Sequence, residues 1–178
     1  MLQKCMLPAA LLSALSIGWS SANAADPATI AARQKLFGAE NVNASSGAVA
    51  KDKVILSWIT NASYAASFQG RVVLLDTWIT RAEATPGRNP FVVQDLVDLH
   101  PEAIFIGHGH GDHADNAAYI AKSLNIPIYA SPETCDAMQA DAVKYFGAGS
   151  TVSCINVVSR GSTPGAEVVR LNQLEPIG

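Results

Sequence analysis

The sequence predicts an α/β fold built around a mixed β-sheet. Between residues 53 and 171, short apolar segments of strand length alternate with longer segments of helical spacing. Such alternation is typical of domains in which helices pack against a sheet that contains parallel strands. The chain of 178 residues is long enough for one such domain, and it contains no internal repeat.

The first 24 residues have the layout of a secretory signal peptide. Lys4 precedes the apolar run 6–19, and Ala22-Asn23-Ala24 supplies the small residues of a cleavage site. Serines and a glycine interrupt the apolar run, which is short for a membrane span, and an N-terminal anchor is the alternative. We expect cleavage after Ala24, a periplasmic or secreted protein, and no stable membrane anchor afterwards.

A helix and a connection are predicted to follow, over residues 25–52. Asp26 is a suitable N-cap, Pro27 suits the first helical turn, and Gly38 ends the helix. Residues 40–52 are rich in Ala, Ser, Asn and Gly, and we expect them to form a mobile connection. The main domain is then expected over residues 53–178.

Within the main domain, turn residues and apolar spacing divide the chain into elements. Gln69-Gly70 predicts a tight hairpin turn, and Ser131 predicts the cap of a helix that begins at Pro132. Two further helices are expected at 91–99 and 116–124. Strands are expected at 54–59, 64–68, 71–75, 103–107, 126–129, 151–158 and 166–171, and a loop at 85–90.

One short motif contains most of the functional information. Three of the four histidines in the chain lie within six consecutive positions, and an aspartate lies among them. Imidazole nitrogen and carboxylate oxygen are ligands of zinc and related transition metals. Gly109 and Gly111 accept unusual backbone angles, so we expect the loop to turn its polar groups toward one point. The motif therefore predicts a metal site rather than a solvated polar turn, with the candidate ligands His108, His110, Asp112 and His113.

This motif, placed at the end of an apolar strand, resembles the signature of the metallo-β-lactamase fold hydrolases. The upstream residues Asn61-Ala-Ser-Tyr64, Gly70 and Val72-Val-Leu-Leu-Asp76-Thr77 are similar to a hairpin of that family whose second strand ends in an aspartate. The resemblance covers about residues 53–171. It implies an α/β (α+β) fold of the αββα sandwich type, with the N-terminal half present.

The resemblance also implies a chemistry. His108 and His110 would bind a first ion, and Asp112 and His113 a second, with zinc expected (one or two ions) and iron or manganese as alternatives. A metal-bound hydroxide would attack an ester, amide, lactone or phosphoester bond of a small-molecule substrate. Asp112 is the catalytic candidate, because its carboxylate can orient water or pass a proton to the leaving group.

Two features depart from the family pattern. Trp78 stands where the family usually has glycine, and no histidine after His113 supplies the later ligands. A catalytic zinc site normally needs three protein ligands and a water, whereas His108 and His110 supply two for the first ion. The alternative is a truncated, catalytically silent member of the same fold that binds metal.

Residues around the motif have weaker signals. Asp76 is predicted to orient the metal loop from outside the ligand set, and its alternative is a turn aspartate without contact to the site. His100 is expected to be an exposed loop histidine. Trp58 and Trp78 are each expected to line a substrate groove or to pack at the core or its rim.

Cysteine content and charge complete the prediction. Cys135 and Cys154 are an even pair after signal cleavage, which in an oxidising compartment favours a disulfide over two buried thiols. The formal net charge of −3 and the absence of a basic run give no indication of nucleic-acid binding. The expected partner is a small-molecule substrate, and the sequence does not predict the oligomeric state.

Overall fold

A computed structural model describes residues 25–79 and 91–158. The described residues form a six-stranded sheet in sequence order, β1-β2-β3-β4-β5-β6. The first three strands are antiparallel, and β3 to β6 are parallel. The predicted α/β class with a mixed sheet is therefore confirmed. The strands are β1 Val54–Thr60, β2 Ser63–Phe68, β3 Arg71–Leu75, β4 Ala103–Phe105, β5 Ile128–Ala130 and β6 Cys154–Asn156.

The helices follow the predicted positions closely. Asp26 accepts a hydrogen bond from the backbone N–H of Ala28 at the start of the first helix, and Ser131 accepts one from Thr134 at the start of the last. The helices are α1 Pro27–Phe37, α2 Val93–Asp98, α3 Gly111–Ala114, α4 Ala117–Leu124 and α5 Pro132–Phe146, with a short 3-10 turn at Ala39–Asn41. Within the described residues, no helix has both the length and the apolar character needed to cross a membrane.

Several predictions fall outside the described residues. These are the signal peptide at 1–24, the loop at 85–90 and the strand at 166–171. Three of the described strands are shorter than predicted: β4 ends at Phe105, β5 covers Ile128–Ala130, and β6 covers only Cys154–Asn156. The predicted hairpin turn is present, because Gln69 and Gly70 both have positive φ, at 54° and 82°.

The main hydrophobic core lies on one face of the sheet. Leu74, Ile104 and Ile128 are fully buried there, and the core also contains residues of α1, α2, α4 and α5. Each such side chain contributes about 1.5–3 kcal/mol on burial. This packing fixes the ends of β3 and β4, from which the candidate metal loop extends.

The opposite face of the sheet is also apolar. Its cluster, centred on Ala66, Val73 and Ala103, consists of strand residues alone. On the edge strand β1, Val54 is 67% exposed and Leu56 58% exposed. Two apolar faces are typical of a sheet layer that is covered on both sides.

The prediction of a mobile connection at residues 40–52 is wrong. Val42 and Val49 form a bridge and are both buried in the main core. Between them, the Asn43 side chain accepts hydrogen bonds from the backbone N–H groups of Ser45 and Ser46, both at 2.9 Å. The polar composition of the segment suggested a linker, whereas Val42 and Val49 are core residues at the base of an ordered turn.

Arg33 joins this turn to the rest of the domain. Its guanidinium donates to the carbonyl oxygens of Gly47 at 2.9 Å and Leu99 at 3.1 Å. Burial lowers the pKa of Arg33, and the negative charge of Glu102 opposes that shift. The segment before β1 is therefore part of the same core as the sheet.

Candidate metal centre

The metal loop follows β4 and ends in a single helical turn. His108 and His110 lie in the loop, whereas Asp112 and His113 lie in α3, Gly111–Ala114. The carboxyl end of β3 lies beside that of β4, because the two strands are parallel and in register at Leu75 and Phe105. Residues that follow β3 are therefore placed against the loop.

His113 is held by the aspartate that follows β3. Its Nδ1 lies 2.7 Å from Oδ2 of Asp76, and the carboxylate can only accept, so Nδ1 donates. Asp76 is buried, with a side chain 8% exposed, while that of His113 is 22% exposed. This hydrogen bond fixes the orientation of the ring and leaves Nε2 as the nitrogen that could bind a metal ion.

Asp76 also holds the backbone of the loop. Its Oδ1 accepts from the N–H of Gly107 at 2.8 Å, and its own N–H donates to the carbonyl of Phe105 at 2.8 Å. Its φ of 54° is a conformation that aspartate tolerates better than most residues. The alternative of a turn aspartate without contact to the loop does not agree with these contacts.

Thr77 is a loop contact that the sequence reasoning missed. It is fully buried, its N–H donates to the carbonyl of His113 at 2.8 Å, and its Oγ1 donates to the carbonyl of Asp115 at 2.7 Å. Nothing in the sequence marks this residue except its position after Asp76. Together the two residues bind the α3 turn to the end of β3.

Asn61 is a second residue that the sequence reasoning left without a role. It lies in the turn between β1 and β2, and its side-chain amide donates to Asp112. Oδ2 of Asp112 lies 3.7 Å from Nε2 of His113, and the Asp112 side chain is 54% exposed. The carboxylate and the available imidazole nitrogen thus face the same space.

His108 and His110 have different surroundings. Both are exposed, and their ring centroids lie 4.0 Å apart in an edge-to-face arrangement. The His108 ring also lies 5.3 Å from that of His113. The hydrogen bonds within residues 25–79 and 91–158 include none to the His108 or His110 ring.

Gly109 lies between these histidines. Glycine is favoured there because a side chain would be too close to a neighbouring residue, and not because of the backbone angle. A Cβ atom there would lie 2.7 Å from Oγ1 of Thr134, in the first turn of α5. None of Gly107, Gly109 and Gly111 has a φ in the left-handed region. The predicted reason for the loop glycines, unusual backbone angles, is therefore wrong.

Imidazole nitrogens and a carboxylate oxygen are suitable ligands for a transition metal, and the distance between one pair of these atoms is close to that in a metal site. Two ligands of a tetrahedral zinc ion, at about 2.0–2.1 Å from the metal, lie about 3.3–3.5 Å apart. The 3.7 Å between Asp112 Oδ2 and His113 Nε2 is close to that spacing. However, no group of three or more His, Cys, Asp or Glu side chains among the described residues is arranged to hold a metal ion. The described residues therefore supply suitable donors in less than a complete set.

The remaining predicted residues lie around the loop or away from it. His100 is exposed outside the motif, as predicted. Trp58 is 47% exposed at the sheet rim. Trp78 is half-buried, and its backbone N–H donates to Ser63 Oγ. Cys135 and Cys154 form a disulfide with a Cα separation of 5.6 Å, which links α5 to β6.

Comparison with known proteins finds seven curated matches, among them UPF0173 metal-dependent hydrolases, a metallo-β-lactamase family. That of Polynucleobacter asymbioticus is 32% identical over 104 residues, which cover 57% of this chain and 34% of the relative. That of Pyrobaculum aerophilum is 33% identical over 75 residues, or 41% and 30% of the two chains. That of Cupriavidus metallidurans is 28% identical over 116 residues, or 61% and 39%. No family model matches the sequence.

The match spans about a third of the length of these relatives. Within that limit, it confirms the predicted resemblance to the N-terminal part of metallo-β-lactamase fold proteins. The names of these relatives describe them as metal-dependent hydrolases. They specify neither the metal nor a substrate.

Proposed function

We propose that this chain carries the metal-binding part of an exported metal-dependent hydrolase. In this proposal one or two zinc ions, with iron or manganese as alternatives, serve the hydrolysis of an ester, amide, lactone or phosphoester bond of a small molecule. The observation that carries the proposal is the bond between Asp76 Oδ2 and His113 Nδ1, which presents Nε2 beside Asp112. Such a carboxylate–histidine pair is typical of metal ligands.

The residues of the loop have separate roles in this proposal. His108 and His110 bind the first ion, while His113 and Asp112 bind the second. Asp76 keeps the proton of His113 on Nδ1, so that the neutral ring can bind through Nε2. Asp112 is exposed enough to reach a substrate and to accept a proton from water. A zinc ion held by these residues would lower the pKa of a bound water and polarise the bond to be cleaved.

The αββα sandwich is supported by the second apolar face of the sheet. Ala66, Val73 and Ala103 are buried on that face beneath aromatic side chains such as Phe105 and Tyr129. The exposed Val54 and Leu56 extend the apolar surface across β1. In a sandwich of this type a second sheet covers such a face.

Export is supported by the disulfide and by the sequence pattern at residues 1–24. Disulfides form and persist in oxidising compartments and are rare in the cytosol. The link between Cys135 and Cys154 therefore agrees with a periplasmic or secreted protein.

A second candidate is a metal-binding protein without hydrolase activity. The observation that favours it is that the described residues contain no group of three ligands arranged for one ion. Under this hypothesis the purified chain binds zinc but hydrolyses ester, lactone and phosphoester substrates at least about 10²-fold more slowly than a full-length relative. Turnover at the level of a full-length relative would exclude it.

Zinc binding tests the proposal directly. The purified chain should bind zinc, measured by elemental analysis after dialysis, and the double substitution His108→Ala/His110→Ala should remove the first ion. Affinity should also fall with acid, because protonated imidazole cannot bind a metal. The control is His100→Gly, which removes an exposed histidine outside the motif, accepts its positive φ of 50°, and should bind zinc as the wild type does. Equal zinc content in the double variant and the wild type would contradict the assignment.

A further inference from the structure

We infer that Asn61 is a positioning residue for Asp112 in the candidate metal centre. This inference rests on the proposed function, since it assigns a role within that site. The side-chain Nδ2 of Asn61 donates to the backbone carbonyl of Asp112 at 2.9 Å and to its carboxylate Oδ2 at 3.2 Å. One amide group therefore contacts both the backbone and the side chain of a residue 51 positions away.

Asn61 is itself held in place by its own turn. Its carbonyl oxygen accepts a hydrogen bond from Trp58 Nε1 at 2.8 Å, and the β1–β2 register shifts between Trp58 and Thr60. Its φ is 44°, in the left-handed region that asparagine adopts more readily than most residues. Both the turn conformation and the indole therefore aim the amide at α3.

The consequence is a fixed orientation for an exposed carboxylate. With 54% of its side chain exposed, Asp112 would otherwise sample several rotamers in solvent. The amide holds Oδ2, the oxygen that lies 3.7 Å from His113 Nε2. Asp76 and Asn61 thus each hold one ligand of the pair: Asp76 orients the imidazole, and Asn61 orients the carboxylate.

Two substitutions separate this role from the role of Asn61 in the turn. Asn61→Gly accepts the positive φ and removes the amide. Asn61→Asp keeps the shape and the turn preference, but its carboxylate oxygens cannot donate to Asp112. Asn125→Gly is the matched control, because Asn125 also has positive φ, at 55°, and caps α4 instead of contacting the loop.

The experiment measures zinc affinity by competition with a chromophoric chelator, together with the visible spectrum of the cobalt-substituted protein. Loss of an outer contact to a ligand typically costs about 10- to 100-fold in metal affinity. We expect at least about tenfold weaker zinc binding and an altered cobalt spectrum for both Asn61 variants, with Asn125→Gly unchanged. Wild-type affinity and spectrum in both Asn61 variants would overturn the inference.

A measurement without metal distinguishes failure of this inference from failure of the proposed function. If the wild type binds no zinc, the metal-centre proposal fails, and the contact is tested by NMR of the Asn61 side-chain amide. Asp112→Ala should shift those amide signals, whereas Asp115→Ala, at an exposed aspartate in the same segment, should leave them unchanged. Unshifted Asn61 signals in Asp112→Ala would overturn the inference on their own.

Discussion

Two pairs of candidate ligands lie within residues 108–113, and the fold supports them differently. The first pair is Asp112 and His113 in α3, and the second is His108 and His110 in the preceding loop. In the first pair, His113 donates to Asp76, and Asp112 accepts from Asn61. The backbone N–H of Thr77 also donates to the carbonyl of His113. The second pair is exposed and has ring contacts within the loop. In the proposed metal site, one pair would therefore be oriented by the protein before metal binds, whereas the other would depend on the ion or on further ligands for its orientation.

The comparison separates two ways of building a metal site. A ligand oriented by a buried partner loses little conformational entropy on binding metal, and its orientation is part of the stability of the fold. An exposed ligand contributes little to stability until metal binds. Substitutions on the two sides should therefore have different effects on the metal-free protein.

The largest effect is expected for Asp76. Asp76→Ala leaves the Gly107 N–H without its acceptor, removes the bond to His113 and places alanine at positive φ. We expect a loss of about 3–4 kcal/mol in the free energy of unfolding, measured by urea denaturation of the metal-free protein.

Asp76→Asn is the matched variant for this position. It keeps an acceptor for Gly107 and tolerates positive φ, but it no longer fixes the proton of His113 on Nδ1. Stability should change much less than in Asp76→Ala, while zinc affinity should fall by about 10- to 100-fold. Equal losses of unfolding free energy in the two variants would show that the contact with His113 alone accounts for the loss in Asp76→Ala.

Removal of the disulfide tests whether α5, which lies near Gly109, is stabilised independently of the contacts to His113. The disulfide joins α5, whose first turn lies under Gly109, to β6. Replacing Cys135 and Cys154 with Ser should lower the free energy of unfolding by about 3 kcal/mol, because the bridge restricts the unfolded chain. Hydrogen exchange should accelerate in α5 more than at the Thr77 amide, which is bonded to His113. Faster exchange at Thr77 to the same degree would contradict independent support of the two pairs.

Much of the fold could be predicted because its signals are local. Asp26 and Ser131 cap their helices with neighbouring residues, and Gln69-Gly70 forms its turn within four residues. The segment 40–52 was misjudged because its Ala, Ser and Asn content resembles a linker. Only tertiary packing shows that Val42 and Val49 belong to the core.

The site could be predicted only where its residues are adjacent in sequence. The motif His108 to His113 is contiguous, and Asp76 was predicted because the resemblance placed an aspartate at the end of the strand. The contact of Asn61 with Asp112 joins residues 51 positions apart, and the position of Thr134 under Gly109 depends on where α5 begins. Neither contact leaves a periodic pattern in the sequence, because each is set by the arrangement of the sheet.

A direct comparison of the two pairs comes from single histidine substitutions in the metal-free protein. His113→Ala leaves Oδ2 of buried Asp76 without its donor, so we expect a loss of about 1–2 kcal/mol in unfolding free energy. His108→Ala removes an exposed ring and should change it by less than about 0.5 kcal/mol. Thermal and urea denaturation measure both. Equal losses would mean that His108 has support from the fold comparable to that of His113.

A modest effect on stability is expected at Gly109, where the exposed pair meets α5. Gly109→Ala places a Cβ 2.7 Å from Thr134 Oγ1, which also lies 3.1 Å from Ser131 Oγ at the helix cap. Relieving that contact requires the loop or the cap to shift, at a cost of about 1 kcal/mol in unfolding free energy. Gly111→Ala is the control, since its Cβ meets nothing closer than Asp115 Oδ1 at 3.4 Å.

The double variant Gly109→Ala/Thr134→Ala identifies the cause of that loss. Removing Oγ1 leaves the nearest remaining Thr134 atom, its Cβ, at 3.6 Å, an ordinary contact distance. The double variant should therefore be less destabilised than the sum of the two single variants, as measured by urea denaturation. Additive losses would mean that Gly109 is needed for the path of the loop itself, and that α5 does not constrain the position of His108 and His110.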